Sequence, residues 1–445
     1  MEPSRPNPNP NPASTGATTP TITVIGGGLA GLTAAITAAE SGAAPVTLYE
    51  GHRTLGGRAR TATVRVPGAT APYRTNDGPH ALYIKGPHAA WLRQRGLLGT
   101  IAGLPLRPGG PFIRFHLNGT LHAVPPRGLL TLPRRTAEHA PVDTDFLTWA
   151  TAKAGPAAAR AAAHYSAVAL YHHDPGSLSA AFVQERLHRA AALSPEARYP
   201  VGGWGALVDR MASYAEQLGV RIETGVRIDD LPAHSAEDAP VIVATTLDAA
   251  RRLLKEDDEN DTSGQSAGNS SLRQPGGRTV LLDLALRTRA GDPFIISDLD
   301  APGWLERFSA ADPSLAPAGE QLVQGQFPLA PDQRRSDGVA RAEHLLDLGF
   351  RGWRERTVWR RDALSDNRTG AVDLPGSTWR DRPRIDRGHG VYLAGDSVAA
   401  PGVLSEVSFN SGIEAATLAV RRLRGVATRV GTEGNKGRGL DLNNA

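Results

Sequence analysis

The sequence predicts an α/β protein built on a parallel sheet of Rossmann type, joined to a second, mixed α+β unit. Three observations carry that prediction. Short β-branched apolar runs alternate with Ala/Leu-rich helical stretches, the pattern of strands buried on both faces. The first run breaks into a glycine-rich turn that opens directly into a helix. A late apolar run, residues 391–394, is again followed by a glycine and a long helix, so the far end of the chain returns to the same sheet.

The elements follow in order. Residues 21–25 form a short apolar, β-branched run, a buried strand. Residues 29–41 make a helix that ends at Gly42, a glycine suited to the left-handed position after a helix. A second strand spans 45–50. Further on, 205–218 reads as a helix closed by Gly219, 220–223 as a strand, 241–245 as another buried strand and 247–254 as a helix. Residues 279–287 are rich in β-formers but alternate poorly, and 407–424 form the long last helix. This division makes the first unit discontinuous, from residues 21–85, 200–255 and 371–425. Segments 86–199 and 279–370 mix Ala-rich helical stretches with proline-broken loops and form the second unit, a mixed sheet with helices on one side. Three stretches read as disordered: the Asn-Pro repeat of 1–20, the polar insertion 256–278 and the tail 426–445.

Composition narrows the function. The chain has 445 residues, ample for two or three domains, and an apolar fraction of 40%. No cysteine is present, which excludes a disulfide scaffold, a thiolate metal site and a cysteine nucleophile. The 49 basic and 45 acidic side chains are scattered, so a nucleic-acid partner has no basic stripe to bind. No window of about 18 uncharged apolar residues exists, so no transmembrane segment is expected. The first twenty residues lack an apolar signal core, and the expected location is cytoplasmic.

The strongest motif is Val24-Ile25-Gly26-Gly27-Gly28-Leu29-Ala30-Gly31. It places G-x-G-x-x-G spacing between a strand and a helix. Gly26 permits the tight turn, Gly28 lets a diphosphate approach the main chain, and Gly31 allows close helix–strand packing. The anion then rests on N–H groups of the helix N-terminus, at Leu29 and Ala30 among them. Glu50 ends the next strand, where a carboxylate accepts hydrogen bonds from ribose hydroxyls and repels a 2′-phosphate. Gly56-Gly57-Arg58 follows, two glycines and a cation suited to a phosphate.

Together Gly26–Gly31, Glu50 and Gly56-Gly57-Arg58 resemble the N-terminal signature of the flavin amine oxidase, phytoene desaturase and protoporphyrinogen oxidase superfamily. Val391 to Asp396, followed by the helix around Gly412-Ile413-Glu414, is similar to that superfamily's second motif. The resemblance implies a glutathione-reductase-like FAD-binding domain and a substrate domain. It also implies roles: Gly395 and Asp396 hold the ribityl or diphosphate region, and Val226 meets the adenine through its backbone. Gly78-Pro79-His80, after Asp77, would run beside the flavin, making His80 a candidate acid or base. Residues 174–186 resemble the substrate-domain helix. The implied cofactor is FAD, held non-covalently because no cysteine exists for a thioether. A histidyl link stays open.

The sequence also departs from the family. Its amine oxidases carry a lysine near the flavin, on a strand roughly a hundred residues before the second motif. Here no lysine lies between Lys255 and Lys436. Ser408 falls where an aromatic is usual, with Phe409 adjacent. The expected function is therefore removal of hydride from a C–H bond of a bulky, largely apolar small molecule, of desaturase or dehydrogenase type. The alternatives are an amine oxidase acting on a C–N bond without the lysine, and a non-catalytic FAD-binding protein. The electron acceptor stays open among oxygen, quinone and a redox partner. No metal site is expected: adjacent His172 and His173 project apart on a helix and lack a third ligand. Arg60 reads as a phosphate contact or a solvated cation, and Phe327, Trp353 and Trp359 read as core aromatics.

Overall fold

The computed structural model describes residues 20–77, 81–104, 113–133, 139–190, 196–231, 239–255, 272, 276–366 and 370–436. The first nineteen residues and, within the insertion, 256–271 and 273–275 lie outside them; Leu272 is buried in the first core and Arg278 opens a strand, so the stretch expected to be disordered up to 278 is ordered at these positions. Five parallel strands form the first sheet, in the order Arg221–Thr224, Val46–Glu50, Ile22–Ile25, Val241–Val243, Val391–Leu393. These strands read as continuous apolar runs because the central ones are covered on both sides. Ile22, Val24, Leu48 and Ile242 are wholly buried.

The helices Leu29–Glu40, Trp204–Gln217 and Ser405–Lys436 pack together against this sheet. Close approach of the first and last rests on small residues. Ala34, Ala35 and Ala38 meet Ala415, Ala416 and Ala419 in one core. A Cβ on Gly412 would stand 3.0 Å from Thr33 Cβ. The last helix continues to Lys436, past the end read at Arg424, so part of the tail expected from residue 426 is helical. Gly425 suggests a stop because glycine costs about 1 kcal/mol in a helix interior, and here the backbone runs through it.

Another departure concerns the segment from residue 86. Helix Pro87–Gln94 buries Trp91 and Leu92 in the first unit's core, together with Leu97. Its short amphipathic face gave no sign of which core would receive it.

The second sheet has seven strands, in the order Thr357–Ser365, Arg278–Arg287, Glu320–Leu329, Gly303–Glu306, Ile295–Asp298, Ile113–Leu117, Thr120–His122. All neighbours are antiparallel except Ile295–Asp298 with Ile113–Leu117. Strand Arg278–Arg287 alternates poorly because both its faces are buried. Val280, Leu282, Leu284 and Leu286 pack in one core with Ala342, Leu345 and Leu346 of helix Arg335–Gly349. Phe327 and Trp353 sit in this core, as read from the sequence. Trp359 pairs across from Ala285 and is half-buried. Helices Phe146–Ala154, Pro156–Leu170 and Ala180–Ala190 build a separate core around Phe146, Leu178 and Val183. No helix among the described residues is long and apolar enough to cross a membrane.

Candidate functional site

The site begins where strand Ile22–Ile25 ends. Gly26 has φ +109°, and its N–H donates to Tyr49 O at 2.7 Å. A Cβ there would run into the Ala244 carbonyl of the neighbouring strand. A Cβ on Gly31 would fall on Gly26 O and stand 3.0 Å from its carbonyl carbon. Helix and strand leave no room at either position. Gly28 differs, since the nearest atom to its Cβ position is Gly56 O at 4.0 Å. The helix that follows has no side-chain cap and no acidic residue in its first turn. The N–H groups of Leu29, Ala30 and Gly31 lack intrahelical partners by geometry, so this open end can receive an anion.

Glu50 lies buried beside the same turn. Its Oε2 accepts the Gly27 N–H at 2.7 Å, and its Oε1 accepts the His52 N–H at 2.8 Å. The carboxylate therefore braces the glycine turn as well as ending the second strand. A carboxylate has about four lone-pair sites, so it retains acceptor capacity. Val226 N–H donates to Glu50 O at 3.0 Å, which leaves the Val226 carbonyl for any further contact.

The loop after Glu50 folds back over the turn. Gly56 N–H donates to Gly27 O at 2.8 Å, and Gly57, at φ +56°, brings its Cβ position to 3.5 Å from Gly28 Cα. Arg58 then reaches the other end of the chain. Its Nη2 lies 2.6 Å from Asp396 Oδ2, and the Asp396 charge raises the guanidinium pKa above its ordinary value against the effect of burial. Asp396 follows strand Val391–Leu393. The N–H and carbonyl of Gly395 both bond Ser411 Oγ, at 2.9 and 3.0 Å, which ties the second motif to the last helix. Gly26, Gly28, Leu29, Ala30, Gly31, Glu50, Gly57, Arg58, Val226, Gly395 and Asp396 thus form one connected cluster at the C-terminal ends of parallel strands.

Other sequence candidates fall elsewhere. His80, with Gly78 and Pro79, lies outside the described residues. Arg60 pairs with Asp77 at 3.1 Å. Phe409 is wholly buried in the first core, its ring 5.9 Å from His88. His172 and His173 follow the helix that ends at Leu170 rather than lying on it, and their rings stack at 4.8 Å instead of projecting apart; His172 Nδ1 accepts the Asp174 N–H at 3.1 Å.

Sequence reading missed three groups. Tyr171, at the end of helix Pro156–Leu170, stands close to Arg58, Thr279 and Ser365, and burial pushes its phenol up to about 12. Glu406, one residue into the last helix, takes Arg186 at 2.8 Å and Arg189 at 2.6 Å. Burial would raise its carboxyl, but the two arginines bring it down to about 2. Asp283 of the second sheet meets Arg361 at 2.5 Å. No local pattern marks these pairings, because sheet register and helix docking create them.

Glycine turn, bracing carboxylate and five-stranded parallel sheet define a Rossmann-type fold, joined to a second, mixed sheet of seven strands. Residues 24–94 match the NAD(P)-binding Rossmann-like domain family. Among solved structures, an oxidoreductase from Methanosarcina mazei shares the fold with a TM-score of 0.64 at 16% identity, over 89% of this chain and 99% of that one. Cyclohexylamine oxidase from Brevibacterium oxydans gives 0.63 at 15% identity, over 92% and 100%. A reduced UDP-galactopyranose mutase gives 0.64 at 16%, over 92% and 96%. The likeness in fold to these three structures covers 89% to 92% of this chain. No curated protein matches the sequence.

Proposed function

We propose that the chain is an FAD-dependent oxidoreductase that removes hydride from a C–H bond of a bulky, largely apolar organic substrate. The observation that carries this reading is the Arg58–Asp396 contact, which joins two glycine-containing turns from opposite ends of the chain. Both turns stand where parallel strands end, the usual place for a ligand in such sheets.

The residues present fit an adenine dinucleotide. The open surface at Gly28 and the free N–H groups of Leu29, Ala30 and Gly31 suit the diphosphate, with Gly57 and Arg58 beside it. Glu50 would accept from ribose hydroxyls, and the Val226 carbonyl would meet the adenine. Gly395 and Asp396 would take the ribityl side. When bound, FAD supplies the hydride acceptor, and the protein supplies position and electrostatics. Zero cysteines favour non-covalent attachment. The substrate wall in this reading is the face of the second sheet that carries Asp283, and the pocket opens between the two sheets. The absence of lysine between Lys255 and Lys436 favours C–H over C–N oxidation.

The test is spectroscopic. Purified protein should carry the visible flavin band, lose it on reduction with dithionite and regain it with an added electron acceptor. Asp396→Ala should release the flavin. Colourless protein that takes up no added FAD would end this reading.

A further inference from the structure

On the face of the second sheet turned away from helix Arg335–Gly349, four neighbouring strands each place a polar side chain in one row. Arg361 stands opposite Asp283, Asp283 opposite Gln324, and Gln324 opposite Glu306. Arg361 Nη2 lies 2.5 Å from Asp283 Oδ2, and Tyr199 donates its hydroxyl to Glu306 Oε1 at 2.5 Å. The Gln324 amide nitrogen donates to the second Asp283 oxygen and to Asn76 O at 3.3 Å. Those acceptors fix the orientation of the Gln324 amide, because its oxygen cannot face them. Gln324 Oε1 therefore points elsewhere, and it is buried without a partner among the described residues.

Gln326 lies two residues along the same strand face, and its Oε1 is buried and unpartnered as well. Both glutamines line a recess together with Asn76, Asp283, Trp304 and Phe308. Buried acceptors of this kind are normally matched by a donor. The row also reaches the cofactor-binding unit: Arg361 Nη2 is 3.4 Å from Asp77, which follows strand Tyr73–Asn76.

Charge decides which donor fits. Asp283 is neutralised by Arg361 across the strand pair. Glu306 has no cationic partner among the described residues, and burial pushes its carboxyl up to about 8, so it is largely uncharged at neutral pH. The row therefore carries no net negative charge to attract an ammonium group. A carboxylate would meet the two glutamine oxygens and find one donor, the Trp304 Nε1–H, which is also buried without a partner among the described residues. A hydroxyl or amide group can donate to the glutamines and accept from the Trp304 Nε1–H at no electrostatic cost, with the Phe308 ring beside it.

We propose that this recess anchors the substrate through an uncharged hydrogen-bond donor, a hydroxyl or amide N–H on an otherwise apolar molecule. The inference rests on the reading of this sheet face as the wall of the substrate site.

The test titrates the flavin-loaded protein with three probes of one shape: benzyl alcohol, benzylamine at neutral pH, and toluene. Benzyl alcohol is expected to bind at least about tenfold more tightly than either of the others. Gln324→Leu should erase its advantage over toluene, and Gln324→Glu should turn the preference toward benzylamine. Gln326→Leu, at the neighbouring position, should reduce the advantage in the same direction and serves if Gln324→Leu fails to fold. Equal affinities, a wild-type preference for benzylamine, or an alcohol advantage that survives Gln324→Leu would overturn the proposal. The flavin band separates the two claims. Flavin-loaded protein without the preference refutes the anchor alone. Flavin-free protein that still prefers the alcohol refutes the oxidoreductase reading alone.

Discussion

Replacing Gly31 and Gly28 by alanine, one at a time, should separate folding from cofactor binding. At Gly31 the new methyl would stand on Gly26 O, with Ala244 Cβ 3.3 Å away. Both neighbours are backbone or backbone-anchored, just past the ends of two adjacent central strands, so neither can swing aside. Overpacking of this kind costs about 1–3 kcal/mol, and the directness of the clash puts Gly31→Ala at the upper end. At Gly28 the methyl meets nothing closer than 4.0 Å, and φ −77° with ψ −173° is open to any residue. Restricting the unfolded chain should stabilise Gly28→Ala by about 0.4–1 kcal/mol. Alanine is a poorer N-cap than glycine, and the two effects nearly cancel. The methyl would nevertheless cover the surface proposed for the diphosphate. Urea unfolding of the flavin-free proteins and flavin titration of each variant measure the two effects. Gly28→Ala should unfold like wild type and lose flavin affinity, whereas Gly31→Ala should unfold at clearly lower urea. Wild-type flavin affinity in Gly28→Ala would refute the diphosphate placement. Wild-type stability in Gly31→Ala would refute the packing argument.

Other predictions test the remaining charges. Glu50→Lys should weaken flavin retention by on the order of 2–5 kcal/mol, since it removes ribose acceptors and the brace on Gly27; undiminished flavin in the purified variant would contradict it. Glu306, raised from 4.5 to about 8 by burial, stays protonated in the folded protein while the unfolded chain ionises. Its contribution is full below about pH 4.5 and lost as pH rises through about 8, a span worth at most on the order of 5 kcal/mol. Urea midpoints of Glu306→Gln across that range should therefore lack a decline that wild type shows. Glu406, lowered to about 2, acts in the opposite sense: its stabilisation is present above about pH 4.5 and fades as acid approaches pH 2. Arg186→Met leaves that carboxylate with Arg189 alone and should destabilise the fold by about 3 kcal/mol at neutral pH, read from thermal or urea unfolding.

Much of the first sheet was legible locally. The strands Ile22–Ile25, Val46–Glu50, Val241–Val243 and Val391–Leu393 are short apolar runs bounded by glycine or polar residues, and each lies within a residue or two of its expected place. Gly26, Gly31 and Glu50 could be read because their roles depend on neighbours at fixed, short sequence distances. The composition and motif spacing alone determined the Rossmann-type sheet and the position of the glycine turns.

Register and docking decided the rest. Strand Arg278–Arg287 has no clean alternation, so nothing local said that Asp283 faces Gln324 and Arg361 while Val280 faces a helix. The pairing of Arg58 with Asp396, of Glu406 with Arg186, and the burial of Trp91 in the first core join residues far apart in the chain. A side chain's type limits what it can bond, but long-range packing selects the partner, because a one-residue slip of a strand turns every side chain to the other face.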